Sequence, residues 1–278
     1  MNKAVIRRAF ADVAHGQIHY RHAGSGVPLL LLHASPGSSR QLVSLIEDMA
    51  DGTRIIAPDT PGNGDSTPLP LDVPEVADLA RAILEFLDSA GLERVNLYGS
   101  HTGATIAGEL AILAPERIDR LMLDGISVLS PDELEDVLAH YARPFPPDLD
   151  GAYLLRAFNF LRDQYLFFPW YSRDRAHRRD GGLGRAEDLH AWLVELLKAS
   201  ETYHLNYHAA FRWNAHERLP CITRPTLVFA AENDPLLEST RAVAPLLADG
   251  RFATLPRGDA ADFRTIRATL LRDFLKAK

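Results

Sequence analysis

The chain has 278 residues, of which 46% are hydrophobic and 24% charged, a composition that is typical of a globular protein and excludes a disordered or collagen-like chain. Lysine and arginine number 30 against 37 aspartates and glutamates, and the resulting charge of −7 disfavours nucleic acid as a partner because it offers no basic surface for phosphates. The longest apolar run, Val27 to Leu32, is far shorter than the roughly 18 residues of a membrane span. Arg7 and Arg8 interrupt the apolar N-terminus, which disfavours a signal peptide there. We therefore expect a soluble, cytoplasmic protein without a membrane partner.

The first half of the chain alternates predicted strands and helices. Apolar and polar residues alternate on both sides of His15-Gly16, which predicts a hairpin, and later apolar runs bounded by Gly and Pro predict buried strands. The predicted elements are strands at 8–13, 17–21 and 27–33, a helix at 41–49, a strand at 54–57, helices at 76–87 and 103–113, and strands at 95–98 and 118–123. This alternation indicates a mostly parallel sheet covered by helices on both faces.

From Pro131 the alternation stops. Residues 131–217 have helical spacing and are rich in Pro, Arg and aromatic side chains, which predicts an inserted helical cap. The α/β pattern then resumes with a strand at 225–231, a helix at 236–247, a strand at 251–255 and a helix at 260–275. We therefore expect one α/β core domain formed by 1–130 and 218–278, interrupted by the cap.

The segment from Val95 to Ala104, V-N-L-Y-G-S-H-T-G-A, resembles the nucleophile elbow of the α/β-hydrolase fold family, a sharp strand-to-helix turn written G-x-S-x-G. Four further segments resemble family features in the family's chain order: Leu32 to Gly37 the oxyanion loop, Asp59 to Ser66 the next loop, Pro115-Glu116-Arg117, and Asn233-Asp234-Pro235. The resemblance covers essentially the whole chain and implies an α/β-hydrolase fold.

Two positions depart from the family pattern. The frame set by Gly99 and Gly103 places His101 at the central position of the elbow, where the family carries Ser, Cys or Asp, and we expect Ser100 to point elsewhere. The family's catalytic His follows the last strand, but here that segment, 256–259, reads P-R-G-D. A Ser-His-Asp triad in the usual order is therefore absent.

The resemblance assigns the remaining site residues. It places Asp234 at the family's acid position, with Asp124 at the end of the preceding sheet strand as a second candidate partner for His101. The main-chain N–H groups of Ser35 and Thr102 are expected to form an oxyanion hole. A neutral imidazole has a pKa of about 6.5, so it can accept a proton at neutral pH without further activation.

Several other residues have both a structural and a functional interpretation. His33 either supports its loop or contacts a ligand, and Trp170 and Tyr171 either form an aromatic ceiling over the pocket or anchor the cap. The arginines at 173, 175, 178 and 179 alternate with aspartates, which favours a solvated face over an anion site.

No metal or cofactor is predicted. The single cysteine, Cys221, excludes an internal disulfide and a cysteine-ligated cluster. His204, His208 and His216 fall at helix-like spacing, but no acidic residue sits at a supporting position among them, which disfavours a metal site.

These features favour an enzyme in which His101 acts as general base, or as nucleophile, to hydrolyse an ester, a lactone or a carbon–carbon bond of a small, largely apolar carbonyl substrate. One alternative is a lyase or a cofactor-independent oxygenase that abstracts a proton from its substrate. Another is a ligand-binding protein without catalysis. The sequence does not predict the substrate or the oligomeric state.

Overall fold

The computed structural model describes residues 4–277 and has an eight-stranded sheet at its centre. The strands are β1 (Arg7–Val13), β2 (Gly16–Ala23), β3 (Val27–Leu32), β4 (Thr53–Pro58), β5 (Val95–Ser100), β6 (Ile118–Asp124), β7 (Thr226–Ala231) and β8 (Gly250–Leu255). Their order in the sheet is β1-β2-β4-β3-β5-β6-β7-β8. β1 pairs with β2, and β2 with β4, in antiparallel fashion, whereas all later pairs are parallel. The predicted hairpin and the mostly parallel sheet are confirmed.

The central strands are apolar on both faces because helices cover the sheet on both sides. In β3, Leu30 and Leu32 join one buried cluster, while Leu29 and Leu31 join the cluster on the opposite face. All four side chains are fully excluded from solvent. Alternation of the strand therefore divides one continuous apolar run between two cores.

The helices are α1 (Val43–Met49), α2 (Val76–Ser89), α3 (Thr102–Leu113), α4 (Pro131–His140), α5 (Ala152–Leu166), α6 (Ala186–Lys198), α7 (Tyr203–Arg212), α8 (Ala215–Arg218), α9 (Leu237–Val243) and α10 (Phe263–Lys276). The helix predicted at 236–247 ends earlier because Pro245, which has no N–H to donate, lies in a short 3₁₀ turn after α9. Within residues 4–277, no helix combines the length and apolarity that a membrane crossing requires.

Helices α4 to α7 form an insertion between β6 and β7, with an apolar cluster of their own. Phe160, Leu161 and Tyr203 are among its buried members. The end of the insertion packs differently, since Ala209 and Trp213 belong to the cluster that covers α3. The last helix of the insertion thus packs on α3.

Candidate active site

His101 occupies a strained turn between β5 and α3. Its φ of 49° and ψ of −112° make it the only residue other than glycine with a positive φ within 4–277. The main-chain N–H donates to the carbonyl of Asp124 at 2.8 Å, and the carbonyl accepts from Ala104 at 2.8 Å. Such a conformation costs energy and persists where surrounding bonds enforce it, most often at functional sites.

The two glycines of the elbow are required by close packing. A Cβ on Gly99 would lie 2.1 Å from the carbonyl oxygen of Gly103, and a Cβ on Gly103 would lie 2.4 Å from that of Leu32. Both distances are far below van der Waals contact, so larger residues would force the turn apart. The glycine frame read from the sequence therefore has a steric origin, and it presents His101 at the tip of the turn.

A cavity of about 930 Å³ lies between the core and the insertion. The core contributes Ser35, His101 and Thr102 to its wall, and the insertion contributes aromatic side chains at 141, 165, 168, 171, 192, 207 and 211. Ser100, which the sequence frame predicts to point elsewhere, also lies in this wall, since it is the last, partly exposed residue of β5. It forms no hydrogen bond with a histidine of the described chain.

His101 is paired with Asp234, which follows β7. Its Nε2 lies 2.9 Å from Oδ2 of Asp234, and the second carboxylate oxygen accepts the N–H of Leu236 at 2.8 Å. An ionised carboxylate only accepts hydrogen bonds, so Nε2 carries the proton and Nδ1 holds the lone pair. In the described part of the chain no group bonds to Nδ1. The pair therefore leaves Nδ1 as the free proton acceptor of the ring.

The two partners shift each other's pKa in opposite directions. Burial lowers the pKa of His101, but the charge and the hydrogen bond of Asp234 outweigh burial and raise the pKa above its ordinary value of 6.5. Burial acts to raise the pKa of Asp234, but His101 holds it below its ordinary value of 3.8. Asp234 is consequently ionised throughout the range in which His101 titrates.

Asp124, the second candidate partner, is bonded elsewhere. Its Oδ2 accepts the hydroxyl of Tyr98 at 2.7 Å, and its side chain makes no hydrogen bond to the imidazole of His101. Burial, followed by the charge of Asp234, raises the pKa of Asp124 to about 6 against the opposing Tyr98 hydrogen bond. The structure thus brings Asp234 against the His101 ring and turns Asp124 toward Tyr98.

The predicted oxyanion donors lie in the cavity wall beside His101. Thr102 is the first residue of α3, where a main-chain N–H has no intrahelical acceptor. The carbonyl of Ser35 accepts the hydroxyl of Tyr207 at 2.7 Å, which fixes the loop after β3. Within the described residues, neither the Ser35 nor the Thr102 N–H has an acceptor. Both amides are free to bind a carbonyl oxygen.

Two of the three predicted ligand contacts are structural. The Nε2 atom of His33 accepts the Thr60 N–H at 2.9 Å, its Nδ1 bonds the Ala34 carbonyl at 3.0 Å, and the buried ring does not reach the cavity wall. Trp170 also lies outside the wall and donates to the Tyr141 carbonyl at 2.8 Å. Tyr171 does line the cavity, with its hydroxyl bonded to a carboxylate of α4.

Sequence reasoning missed the polar residues that the insertion brings to the cavity. Arg179, expected on a solvated face, lies in the wall, as do Tyr141 and Gln164. The segment after β8, where the family has its histidine, instead carries Arg257, whose guanidinium pairs with Asp180 of the insertion at 2.7 Å. No local pattern distinguishes Arg179 from its exposed neighbour Arg178, because only the path of the folded chain directs one of them inward.

One cluster in the described residues has the composition of a cation site. The ligand atoms of His19, Asp59 and Asp65 lie within 4.8 Å of one another. His19 bonds Asp59 at 2.8 Å, and Asp65 pairs with Lys198 at 2.8 Å. The cluster is thus a hydrogen-bonded network that holds the loop after β4. His204 and His208 are neighbours on α7, whereas His216 lies on α8.

The comparisons with known proteins agree with this architecture. The family model described as "alpha/beta hydrolase fold" matches residues 27–246, so the chain belongs to the α/β-hydrolase fold family. The predicted fold class is confirmed.

Two curated relatives and one solved structure illustrate the relationship. The chain is 32% identical over 118 residues to a 2-hydroxy-6-oxo-6-phenylhexa-2,4-dienoate hydrolase of Comamonas testosteroni, across 41% of each chain. A Burkholderia cepacia protein of the same name is 27% identical over 258 residues, 87% of this chain and 84% of that one. The enol-lactonase of Burkholderia xenovorans LB400 superposes with a TM-score of 0.75 at 18% identity, over 97% of this chain and all of the other. The chain spans less than half the length of some of the curated relatives it matches, namely 29% of one and 41% of another.

Proposed function

We propose that this protein hydrolyses an ester, a lactone or a carbon–carbon bond of a small carbonyl compound, with His101 as general base and Asp234 as its partner. The observation that carries the proposal is the 2.9 Å pair between His101 and Asp234 at the tip of the elbow, with His101 in the cavity wall and no hydrogen bond to its Nδ1 among the described residues. The insertion 131–217 serves as the cap that covers the substrate.

The reaction follows from the groups in the cavity wall. Nδ1 of His101 takes a proton from water, the water oxygen bonds to the substrate carbonyl carbon, and the carbonyl electrons move onto its oxygen. The N–H groups of Ser35 and Thr102 stabilise that oxyanion. When the intermediate collapses, the bond to the leaving group breaks, and the leaving group takes the proton from the imidazolium. Asp234 stabilises the cation between the two transfers.

The position of the proton on the His101 ring favours the general-base role over the nucleophilic role. Asp234 fixes the proton on Nε2, which leaves one lone pair for a proton or for carbon. As nucleophile, the imidazole would form an acyl-imidazole, and the water that releases it would need another base, yet no other histidine of the described chain lies in the cavity wall. A single base acting on water requires one group only.

The names of the relatives support the bond types proposed. Two relatives are named as hydrolases of an oxo-dienoate, and a structural neighbour is named as an enol-lactonase. All three names describe addition of water to a substrate that contains a carbonyl group. In this chain the elbow carries His101, so His101 activates water for attack on the substrate carbonyl, with no preceding step in which a serine attacks that carbonyl.

The test is turnover of p-nitrophenyl acetate by the wild type, His101→Ala and Ser100→Ala. We expect His101→Ala to lose about 10²–10⁴ in kcat, the usual contribution of a general base, and Ser100→Ala to retain most of the wild-type rate. Single-turnover mass spectrometry should detect no acylated protein, whereas an acyl-imidazole would reveal the nucleophilic role. Equal rates for the wild type and His101→Ala would refute the proposal. Dependence of product formation on oxygen would indicate an oxygenase instead.

A further inference from the structure

The wall of the cavity that the insertion provides contains hydrogen-bond donors that the described residues leave partly or wholly unpaired. Arg179 lies there beside Gln164 and Tyr141. Four acidic residues line the cavity, and each is either bonded to another residue or exposed. Glu133 bonds Ser130, Asp136 bonds Tyr171, Glu195 bonds Lys198, and Asp188 lies at the exposed start of α6. None of these four carboxylates forms an ion pair with Arg179, and the carboxylate within its electrostatic range, Asp234, is bonded to His101.

Arg179 is held by main-chain carbonyls rather than by an acid. Its Nη1 donates to the carbonyl of Gln164 at 2.7 Å and its Nη2 to that of Asn233 at 3.4 Å, next to Asp234. Within residues 4–277 it forms no ion pair. Its charge acts to lower the pKa of His101, of Asp234 and of Tyr141, although other influences decide the net shift of each. The guanidinium thus lies within electrostatic range of the catalytic pair, with further N–H groups to donate.

Two neighbouring side chains have unused donors. The Nε2 atom of Gln164 is buried and has no partner, and its Oε1 lies 3.2 Å from the Tyr207 hydroxyl, whose hydrogen is donated to the Ser35 carbonyl at 2.7 Å. The hydroxyl of Tyr141 has no hydrogen-bond partner in the described chain, although the residue is only 8% exposed. The hydroxyl of Ser35, also in the wall, is buried without a partner. An unpaired buried donor is costly, so the buried Gln164 N–H₂ group and Ser35 hydroxyl indicate a missing acceptor.

The chemistry of that acceptor follows from the donors. A guanidinium, an amide N–H₂ and a phenol all donate, and a carboxylate accepts several hydrogen bonds while carrying the opposite charge. We propose that Arg179, Gln164 and Tyr141 form a subsite for a carboxylate group of the substrate. The substrate is then a small anionic carbonyl compound rather than the largely apolar one expected from the sequence. This inference builds on the proposed function, because the subsite would direct the carbonyl of that substrate toward His101.

The test measures binding without turnover. Calorimetric titration of the full chain with benzoate and with its neutral isostere benzamide compares a carboxylate with an amide of nearly the same shape. We expect the wild type to bind benzoate more tightly, and Arg179→Gln to weaken benzoate about ten- to hundredfold, the usual loss for a hydrogen bond to a charged group. Arg178→Gln is the matched control, because Arg178 is exposed and absent from the wall, and it should leave both affinities unchanged.

A second variant covers the case in which Arg179→Gln does not fold. Gln164→Leu keeps the main-chain carbonyl that holds Arg179 and removes the orphan N–H₂ group together with the Oε1 that lies 3.2 Å from the Tyr207 hydroxyl, so a smaller loss of benzoate affinity is expected. Equal wild-type affinities for benzoate and benzamide, or no binding of benzoate, would overturn the inference, as would equal losses in Arg179→Gln and Arg178→Gln. His101→Ala should keep the preference for benzoate. A preference for benzoate in a protein that hydrolyses no ester, lactone or carbon–carbon bond would refute the proposed function alone.

Discussion

Replacing Asp234 with asparagine should slow the reaction and move its pH dependence to lower pH. The imidazole of His101 must be unprotonated to act as base, so activity falls as the pH drops through its pKa. In the wild type Asp234 raises that pKa above 6.5 against the effect of burial. Asparagine removes the charge while burial remains, so the pKa of His101 should fall and the acid limb of kcat/KM should move downward with it.

The expected loss of rate follows from the geometry of the pair. A hydrogen bond to a charged group contributes about 1.5–3 kcal/mol. The His101 side chain is 35% exposed and that of Asp234 is 17% exposed, so solvent screens the pair and the lower part of that range applies. About 1.5–2 kcal/mol less stabilisation of the imidazolium in the transition state corresponds to a roughly ten- to thirtyfold lower kcat/KM above the acid limb.

The assay is hydrolysis of p-nitrophenyl acetate between pH 5 and pH 9 by the wild type, Asp234→Asn and Asp124→Asn. Asp124→Asn serves as the comparison because its carboxylate bonds Tyr98 and not the imidazole. An Asp234→Asn profile with an unchanged acid limb and rate would refute the assignment of Asp234. If Asp124→Asn moved the limb instead, the partner would be the residue at the end of β6.

Three further outcomes are expected. A fluorophosphonate should not label Ser100, whereas diethyl pyrocarbonate should inactivate the protein by modifying His101. Peptide mass spectrometry that finds phosphonylated Ser100 together with loss of activity would contradict the frame set by Gly99 and Gly103. Gly125→Ala should lower kcat more than the matched control Gly91→Ala. Both glycines have positive φ, but a Cβ on Gly125 would lie 2.7 Å from the His101 ring, whereas one on Gly91 would meet nothing within 4 Å. Similar kcat values for the two variants would contradict the contact. The pKa of Asp59 is about 2, below its ordinary value of 3.8, so ionisation of Asp59 stabilises the fold by about 2–3 kcal/mol above pH 4. This contribution is lost as the pH falls through about 2. Urea unfolding of Asp59→Asn at pH 7 should show the same loss in the free energy of unfolding.

The alternation of strands and helices could be predicted because each element is specified locally. The buried strands are apolar runs and the helices repeat at three and four residues, so period alone separates them. The elbow could be located for a similar reason, because Gly99 and Gly103 are required by contacts within the turn and with the neighbouring strand. The end of α9 was missed by several residues, since Pro245 acts through one absent hydrogen bond and leaves the apolar spacing intact.

By itself, the sequence determined the class of fold and the residue that the elbow presents, because these depend on periodicity and on short-range sterics. Only the tertiary structure decided what surrounds that residue. Asp234 lies 133 positions from His101, and the sequence left Asp124 as a second candidate until the ends of β6 and β7 were placed in space. Arg179 and Arg178 are adjacent in the chain, yet one lies in the cavity wall and the other in solvent. Such choices depend on the path of an irregular segment, which has no period to reveal which side chain points inward.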